Sequence, residues 1–335
     1  MKVERTMLPL MGMSFEPGEM TDIVKKIEDE ELADIAQAEA YYYSAQPEKC
    51  VGKLKEYLNS EDIYLRLSAD VLFAFANMSL ENEKAVWEMR DDVQVCLKHV
   101  WQDNENNEVK AACLFAWYIV SVLIHIPPEN EFSTLYDYLR YLPKGQRMFT
   151  IHIMVHSAYL NGEYEKGIGM AQVALTVADR FYPVSFVYMK CAEAMCQINL
   201  KRTDEAEKAI REAGDVAKAD GCLEPFAEYY SLLQGVCEKC IKKNEPGLYK
   251  EMMEKVIHFS KGWRKVHNQI TKKHITDLLT PVEFSIAMLA CRDWTNQEIA
   301  THMNLSVNTV KRYVSVILEK LQINKRDGLK EFVNQ

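Results

Sequence analysis

Two adjacent cations, Lys311 and Arg312, are the side chains of this 335-residue chain best placed to do chemistry. Over 306–321 the apolar residues Val310, Val314, Ile317, Leu318 and Leu321 recur at helical spacing. Asn308, Lys311, Arg312, Ser315 and Glu319 fall on the opposite face. Long cationic donors near the N-terminus of such a helix reach phosphate oxygens and guanine edges in a DNA major groove. Successive helical residues point about 100° apart, so only one of the two cations lies squarely opposite the core stripe. Val310, Val314 and Ile317 set the rotation and leave Lys311 there, with Ser315 one turn on. Lys311 is therefore expected to read a base edge, and Arg312 to share that role or clamp a phosphate.

Other reactive residue types do not assemble into a site. Cys237 and Cys240 form a Cys-x-x-Cys on an expected helix, without a second pair at zinc-ribbon spacing, and read as small buried residues. His152 and His156 stand one turn apart but lack the Glu of a His-Glu-x-x-His motif, which favours a groove-lining or core role. Gly52-Lys53 lacks both the upstream Gly and the hydroxyl of a phosphate-cradling loop. No nucleophile–base pair or carboxylate pair can be placed, so no enzyme, metal or cofactor is expected.

Three helix starts position the cationic face. Thr280-Pro281-Val282-Glu283 is a capping box with Pro at the first helical position, and Thr295-Asn296-Gln297-Glu298 is a second. Ser306 caps a third helix. The helices are expected to end near Arg292, Met303 and Leu321. Ala300 stands where two helices must approach closely, and Asn304 where a turn needs positive φ. Ile299, Met303, Leu305 and Val310 fix the interhelical angle. Together these spacings predict a helix-turn-helix.

Residues 279–329, from Leu279-Thr280-Pro281 through Thr295 to Ala300 and Asn308-Thr309-Val310-Lys311 to Leu321, resemble the LuxR-type DNA-binding domain. The resemblance implies a four-helix module that binds double-stranded DNA as a homodimer and regulates bacterial transcription. It implies that Lys311, Arg312 and Ser315 face bases, while Thr309, Thr295 and Lys320 face the backbone. It also implies a last helix that joins two copies, here over 325–333 with Asn324 as its cap and Leu329, Phe332 and Val333 as its seam. The chain departs from the family pattern at Val282 and Ser285 (usually Arg and Glu), Asp293 (usually Gly) and Tyr313 (usually His). These departures bear on a structural ion pair and on base preference, not on the fold.

The rest of the chain is a support of a different kind. Gly (13) and Pro (10) are scarce and 48% of residues are hydrophobic, which favours long elements around a sizeable core over disorder or a disulfide scaffold. From about 20 to 260 apolar residues recur at three- and four-residue steps, so the fold class is all-α. Polar turns leading to small residues at Cys50, Ala85, Gly167, Ala206 and, more weakly, Gly247 give spacings of 35, 82, 39 and 41. A period near 40 with two helices per unit resembles a degenerate tetratricopeptide-like solenoid. The expected domains are thus a helical-repeat body (1–260), a basic linker (261–275) and the helix-turn-helix domain (276–335).

Charge follows the same division. From Lys261 onward there are 12 Lys/Arg and 7 Asp/Glu, against 28 and 42 before it, so an acidic body carries a basic tail. The apolar run Ala111 to Ile126 is too short for a membrane span and reads as a buried helix. Nine scattered cysteines read as reduced thiols, and no signal peptide or membrane segment is recognised, so a cytoplasmic protein is expected. Body plus tail resembles the C-terminal half of MalT-like regulators, whose N-terminal nucleotide-hydrolysing switch domain is not recognised in these residues, so the chain is either a switchless member of that group or part of something longer. The body is expected to bind a small-molecule or protein effector, and RNA polymerase is a further candidate partner. Two alternatives stay open: a scaffold whose tail contacts the transcription machinery, and a thiol or metal sensor.

Overall fold

The computed structural model describes residues 1–126, 133–242, 245–271 and 278–330. Among the described residues the regular elements are helices, and no strand occurs. The body holds α1 (Pro9–Gly12), α2 (Met20–Lys25), α3 (Glu30–Tyr43), α4 (Pro47–Leu54), α5 (Ile63–Ser79), α6 (Glu83–Asp103) and α7 (Asn107–Val122). It continues with α8 (Ser133–Tyr138), α9 (Lys144–Leu160), α10 (Tyr164–Val177), α11 (Pro183–Asn199), α12 (Thr203–Asp220), α13 (Glu224–Leu233) and α14 (Pro246–Thr271). The C-terminal domain holds α15 (Pro281–Cys291), α16 (Asn296–His302) and α17 (Val307–Lys320).

The repeat is visible in the turns. Ala45, Glu81, His125, Gly162 and Lys201 all adopt positive φ, between 53° and 74°. Each is followed by a residue whose N–H returns to a carbonyl five positions back: Gln46 to Tyr41, Asn82 to Asn77, Ile126 to Ser121, Glu163 to Ala158 and Arg202 to Gln197. This is the Schellman closure, which satisfies the last carbonyls of a helix and turns the chain sharply. Its recurrence gives a unit near 40 residues and supplies, at His125, the turn that falls inside the 82-residue spacing. The small residues after the turns serve close crossings: Cys50, Ala85 and Ala206 are buried, and a Cβ on Gly167 would meet Cys196 Sγ at 3.0 Å. Gly247 is exposed with open space around it and marks no such crossing.

The body closes on itself. The long helix α14 packs against α5 and α6, and a Cβ on Gly262 would fall 1.7 Å from the Met78 carbonyl oxygen, so only glycine allows this crossing. Lys261 and Lys265 flank the same crossing and pair with Glu81 at 3.6 and 3.2 Å. The expected basic linker is corrected here: as far as Thr271 it is the second half of α14, with Val266 in the core. Residues 272–277 lie outside the described residues.

Inside the body the first helices of successive hairpins, α3, α5, α7, α9, α11 and α13, surround a common core. The N-terminal segment runs into it. Leu10 and Met11 donate backbone N–H bonds to Glu39 at 2.7 and 2.9 Å, and Leu8 N–H bonds Ser68 Oγ at 2.9 Å. Helix α7 is buried along its length, as its apolar run predicts. No helix among the described residues is long and apolar enough to cross a membrane.

Candidate nucleic-acid interface

Local sequence builds the C-terminal domain as its caps require. Thr280 and Thr295 each accept the N–H of the Glu three residues on, at 3.3 and 3.2 Å, and each Glu accepts the Thr N–H in return, at 2.7 and 2.6 Å. Ser306 Oγ accepts the Thr309 N–H at 3.1 Å. The turn between α16 and α17 closes through Asn304 at φ 53°, with the Leu305 N–H on the Ala300 carbonyl at 2.9 Å. Ile299, Ala300, Met303 and Val310 are buried and Leu305 packs beside them, so the expected lock between the two helices forms.

Helix α17 turns its apolar stripe inward through Val310, Val314 and Ile317. Asn308, Lys311, Arg312 and Ser315 are exposed on the other side, with Thr309 half-buried at the start. Among the described residues Lys311 and Arg312 have no ion-pair partner, so two cations stand free on the first two turns. Ser315 Oγ is turned back onto the Lys311 carbonyl at 3.0 Å, and Thr309 Oγ1 lies 2.8 Å from Ser306 Oγ. Thr295 is exposed at the start of α16.

Lys320 is placed differently from the expectation that it faces the DNA backbone. Its ammonium donates to both oxygens of Glu283 at 2.8 and 2.7 Å, tying α17 to the start of α15. Burial alone would raise the Glu283 carboxyl; Lys320 and the Thr280 N–H together bring it below the ordinary range. Leu329 is also placed differently. It is fully buried within its own domain, beside a 3-10 turn over Arg326–Leu329, so it offers no surface to a second copy. Phe332 and Val333 lie outside the described residues.

Some residues that organise the domain carry no sequence pattern. Arg326 binds three groups at once: the Ala290 carbonyl at 3.3 Å, the Trp294 carbonyl, and Asn296 Oδ1 at 2.8 Å. It thereby ties the end of α15 to the start of α16. Asp293 stands at φ 61° where a glycine would be unstrained, and its carboxylate pairs with Lys330 at 2.8 Å.

The domain is docked on the body through α15, α16 and the turns that follow them. Arg292 donates to the Tyr159 hydroxyl at 2.9 Å, and Lys201 pairs with Glu298 at 2.9 Å. At Gly235, φ 97°, a Cβ would meet Met303 Cγ at 2.7 Å, so the body and α16 touch nearly backbone to side chain. His302 is buried beside Trp294, with ring centroids 5.0 Å apart.

The remaining candidates lie buried in the body. Cys237 and Cys240 are buried, Cys237 held well above the ordinary thiol range by burial, with residues 238–242 in a π-helical turn. His152 and His156 are buried around the Tyr229 hydroxyl, and burial lowers both to about 3, so they are neutral. Among the described residues no group of three or more His, Cys, Asp or Glu could hold a metal ion.

Comparison with known proteins addresses the C-terminal domain alone. No solved structure matches the chain. Residues 277–332 match the model of the family described as bacterial regulatory proteins, luxR family. The response regulator protein VraR of Staphylococcus aureus is 36% identical over 63 residues, and so is the protein of that name from Staphylococcus epidermidis. The alignment covers 18% of this chain and 30% of either relative, so the chain spans under a third of the length of those relatives. The C-terminal domain is thus similar to LuxR-family DNA-binding domains, and the helical-repeat body has no counterpart in these matches.

Proposed function

We propose that the protein is a DNA-binding transcriptional regulator whose C-terminal domain reads the major groove with the first two turns of α17. One observation carries the reading. Lys311 and Arg312 stand exposed and, among the described residues, free of ion pairs on a Ser306-capped helix that packs on α16 with Ala300 and Val310 buried, across a tight turn at Asn304, the arrangement of a helix-turn-helix. Lys311 and Ser315 take the groove floor, Arg312 the floor or wall, and Asn308, Thr309 and Thr295 the flanking sugar-phosphate. Two copies occupy two half-sites, and the chemistry is recognition rather than catalysis. In the cytoplasm of a bacterium the helical-repeat body senses an effector or partner protein, and its docking on α15 and α16 couples that event to the DNA-binding domain. Its net acidity keeps the body off the phosphate backbone and leaves binding to the tail.

The test is titration of the full chain on fragmented genomic DNA, with recovery and mapping of the bound fragments at several salt concentrations. A discrete set of sites, with affinity falling steeply as salt rises, supports groove reading. Absence of duplex binding at low salt, with retention on RNA polymerase, favours the scaffold reading instead.

A further inference from the structure

Two cysteines face each other across one helical hairpin of the body. Helices α6 and α7 are joined by the short turn at Asn104-Glu105-Asn106 and pack side by side. Cys96 on α6 and Cys113 on α7 stand at nearly equal distance from that turn, so the antiparallel register sets them at one level. Their Sγ atoms lie 3.9 Å apart. Axes of packed helices lie about 8–10 Å apart, so facing Cα atoms come within roughly 5 Å, a span that a disulfide bridges. Closing the sulfurs from 3.9 Å to a bond of about 2 Å is within reach of side-chain rotation.

The two sulfurs differ in setting. Cys113 is fully buried, as are or nearly are the other cysteines, whereas Cys96 is half-buried and open to small solutes. Arg66 reaches Cys96 from α5, and its Nε is buried without a hydrogen-bond partner among the described residues. The thiol hydrogen bond with Cys113, and then Arg66, bring Cys96 down to about 7, against burial and against Asp92 one turn earlier on α6. Cys113 is raised by that same bond and by burial. Burial holds the seven remaining cysteines above the ordinary thiol range. Thiolate character, access and a second thiol in contact are what oxidants select among cysteines. In this chain they meet at Cys96.

We propose that Cys96 and Cys113 are a peroxide-reactive dithiol site, in which hydrogen peroxide oxidises Cys96 and Cys113 then closes a disulfide across the α6–α7 hairpin. The proposal stands independently of the DNA-binding reading and concerns a different pair from Cys237 and Cys240. In the first step the Cys96 thiolate attacks one peroxide oxygen. An S–O bond forms, the O–O bond breaks, and the departing hydroxide takes up the proton that the thiol released, giving water and a Cys96 sulfenic acid. In the second step the Cys113 sulfur attacks the Cys96 sulfur. The S–S bond forms, the S–O bond breaks, and the Cys113 proton leaves with the hydroxyl group as a second water. Two electrons pass from the sulfurs to the peroxide, so two thiols and one hydrogen peroxide give one disulfide and two waters. A small-molecule dithiol returns both thiols by exchange.

The test treats the reduced full chain with hydrogen peroxide at neutral pH, followed by blocking with N-ethylmaleimide, thiol counting in denaturant and peptide mapping. Free thiols should fall from nine to seven per chain, with one bridged peptide joining Cys96 to Cys113 and full return on addition of dithiothreitol. Cys96 should react about ten-fold faster than any other thiol, the gain in thiolate fraction outweighing the loss in nucleophilicity. Cys96→Ser changes a half-buried position and should keep its eight remaining thiols under the same treatment while circular dichroism shows an unchanged fold. Cys113→Ala keeps a small apolar side chain in the buried position and should stop at oxidised Cys96, read as a dimedone adduct or a sulfinic acid. Three results overturn the site: Cys96 and Cys113 stay reduced while other thiols oxidise, the main bridge joins a different pair or two chains, or folded Cys96→Ser loses two thiols as fast as the parent.

Discussion

Lys320→Met separates two uses of one ammonium group. If Lys320 serves the fold, its partner is Glu283, a side chain only 7% exposed that already accepts the Thr280 N–H at 2.7 Å. Removing the cation leaves that carboxylate half-satisfied between α15 and α17. Breaking a fully buried pair costs about 3–5 kcal/mol, and an exposed pair about 0–1 kcal/mol. Lys320 retains 35% exposure, so the expected cost lies between, at about 1–2 kcal/mol. Glu283→Gln in the same chain removes the stranded charge, and the double variant should recover part of the loss. The linkage has a definite sign. Glu283 is depressed in the fold, so its contribution is present above the ordinary carboxyl range of about 4.3 and fades as pH falls through the depressed value. Lys320→Met should flatten that acid limb. Calorimetric unfolding from pH 3 to 7 (roughly the carboxylate range) and DNA titrations at several salt concentrations supply the two readouts. Lower stability with an unchanged salt slope is the expected result. Unchanged stability with a slope reduced by about one unit would show that Lys320 is a phosphate contact and refute the structural account.

Two further outcomes follow from buried groups. Asp70 on α5 is fully buried, its nearest cation is Arg66 Nε at 3.9 Å, and burial raises it to about 8. A raised carboxyl favours the fold below its unfolded value of about 3.9 and loses that advantage as pH climbs to its folded value, so Asp70→Asn should stabilise the protein by roughly 2–4 kcal/mol near pH 8 and little near pH 4; equal effects at both pH values would contradict the assignment. Leu329→Asp places a carboxylate in the core of the C-terminal domain and should unfold that domain by about 3 kcal/mol or more, with the body's calorimetric transition kept. A folded variant that is merely monomeric on DNA would return Leu329 to the dimer seam.

The helix-turn-helix was legible because its determinants are local. Each cap is set by residues three apart, and the stripe Val310, Val314, Ile317 needs only the helical period. The free state of Lys311 and Arg312 follows from that rotation. The pairing of Lys320 is not legible in the sequence, because its partner, Glu283, lies 37 residues away and already serves as a cap. Helix α14 was legible in part: Val256, Phe259, Trp263 and Val266 keep helical steps through the supposed linker, but the cluster of cations masked them. Two of those cations, Lys261 and Lys265, pair with Glu81, a partner that only the closure of α14 on α5 brings near. An aromatic-lined cavity among the inner helices gives no local signal, since its wall comes from six hairpins and the N-terminal segment.

The most direct test of the account is titration of Lys311→Ala and Arg312→Ala, as full chains, on a bound site recovered from the genome and on its scrambled sequence. Lys311→Ala should lose about 1–3 kcal/mol on the site, little on the scramble, and relax discrimination at one base pair. Arg312→Ala should do the same at a neighbouring base, or weaken both duplexes alike and reduce the salt slope by about one unit. If both variants stay folded and keep the parent's affinity, specificity and salt slope, α17 does not enter the groove and the central claim is wrong.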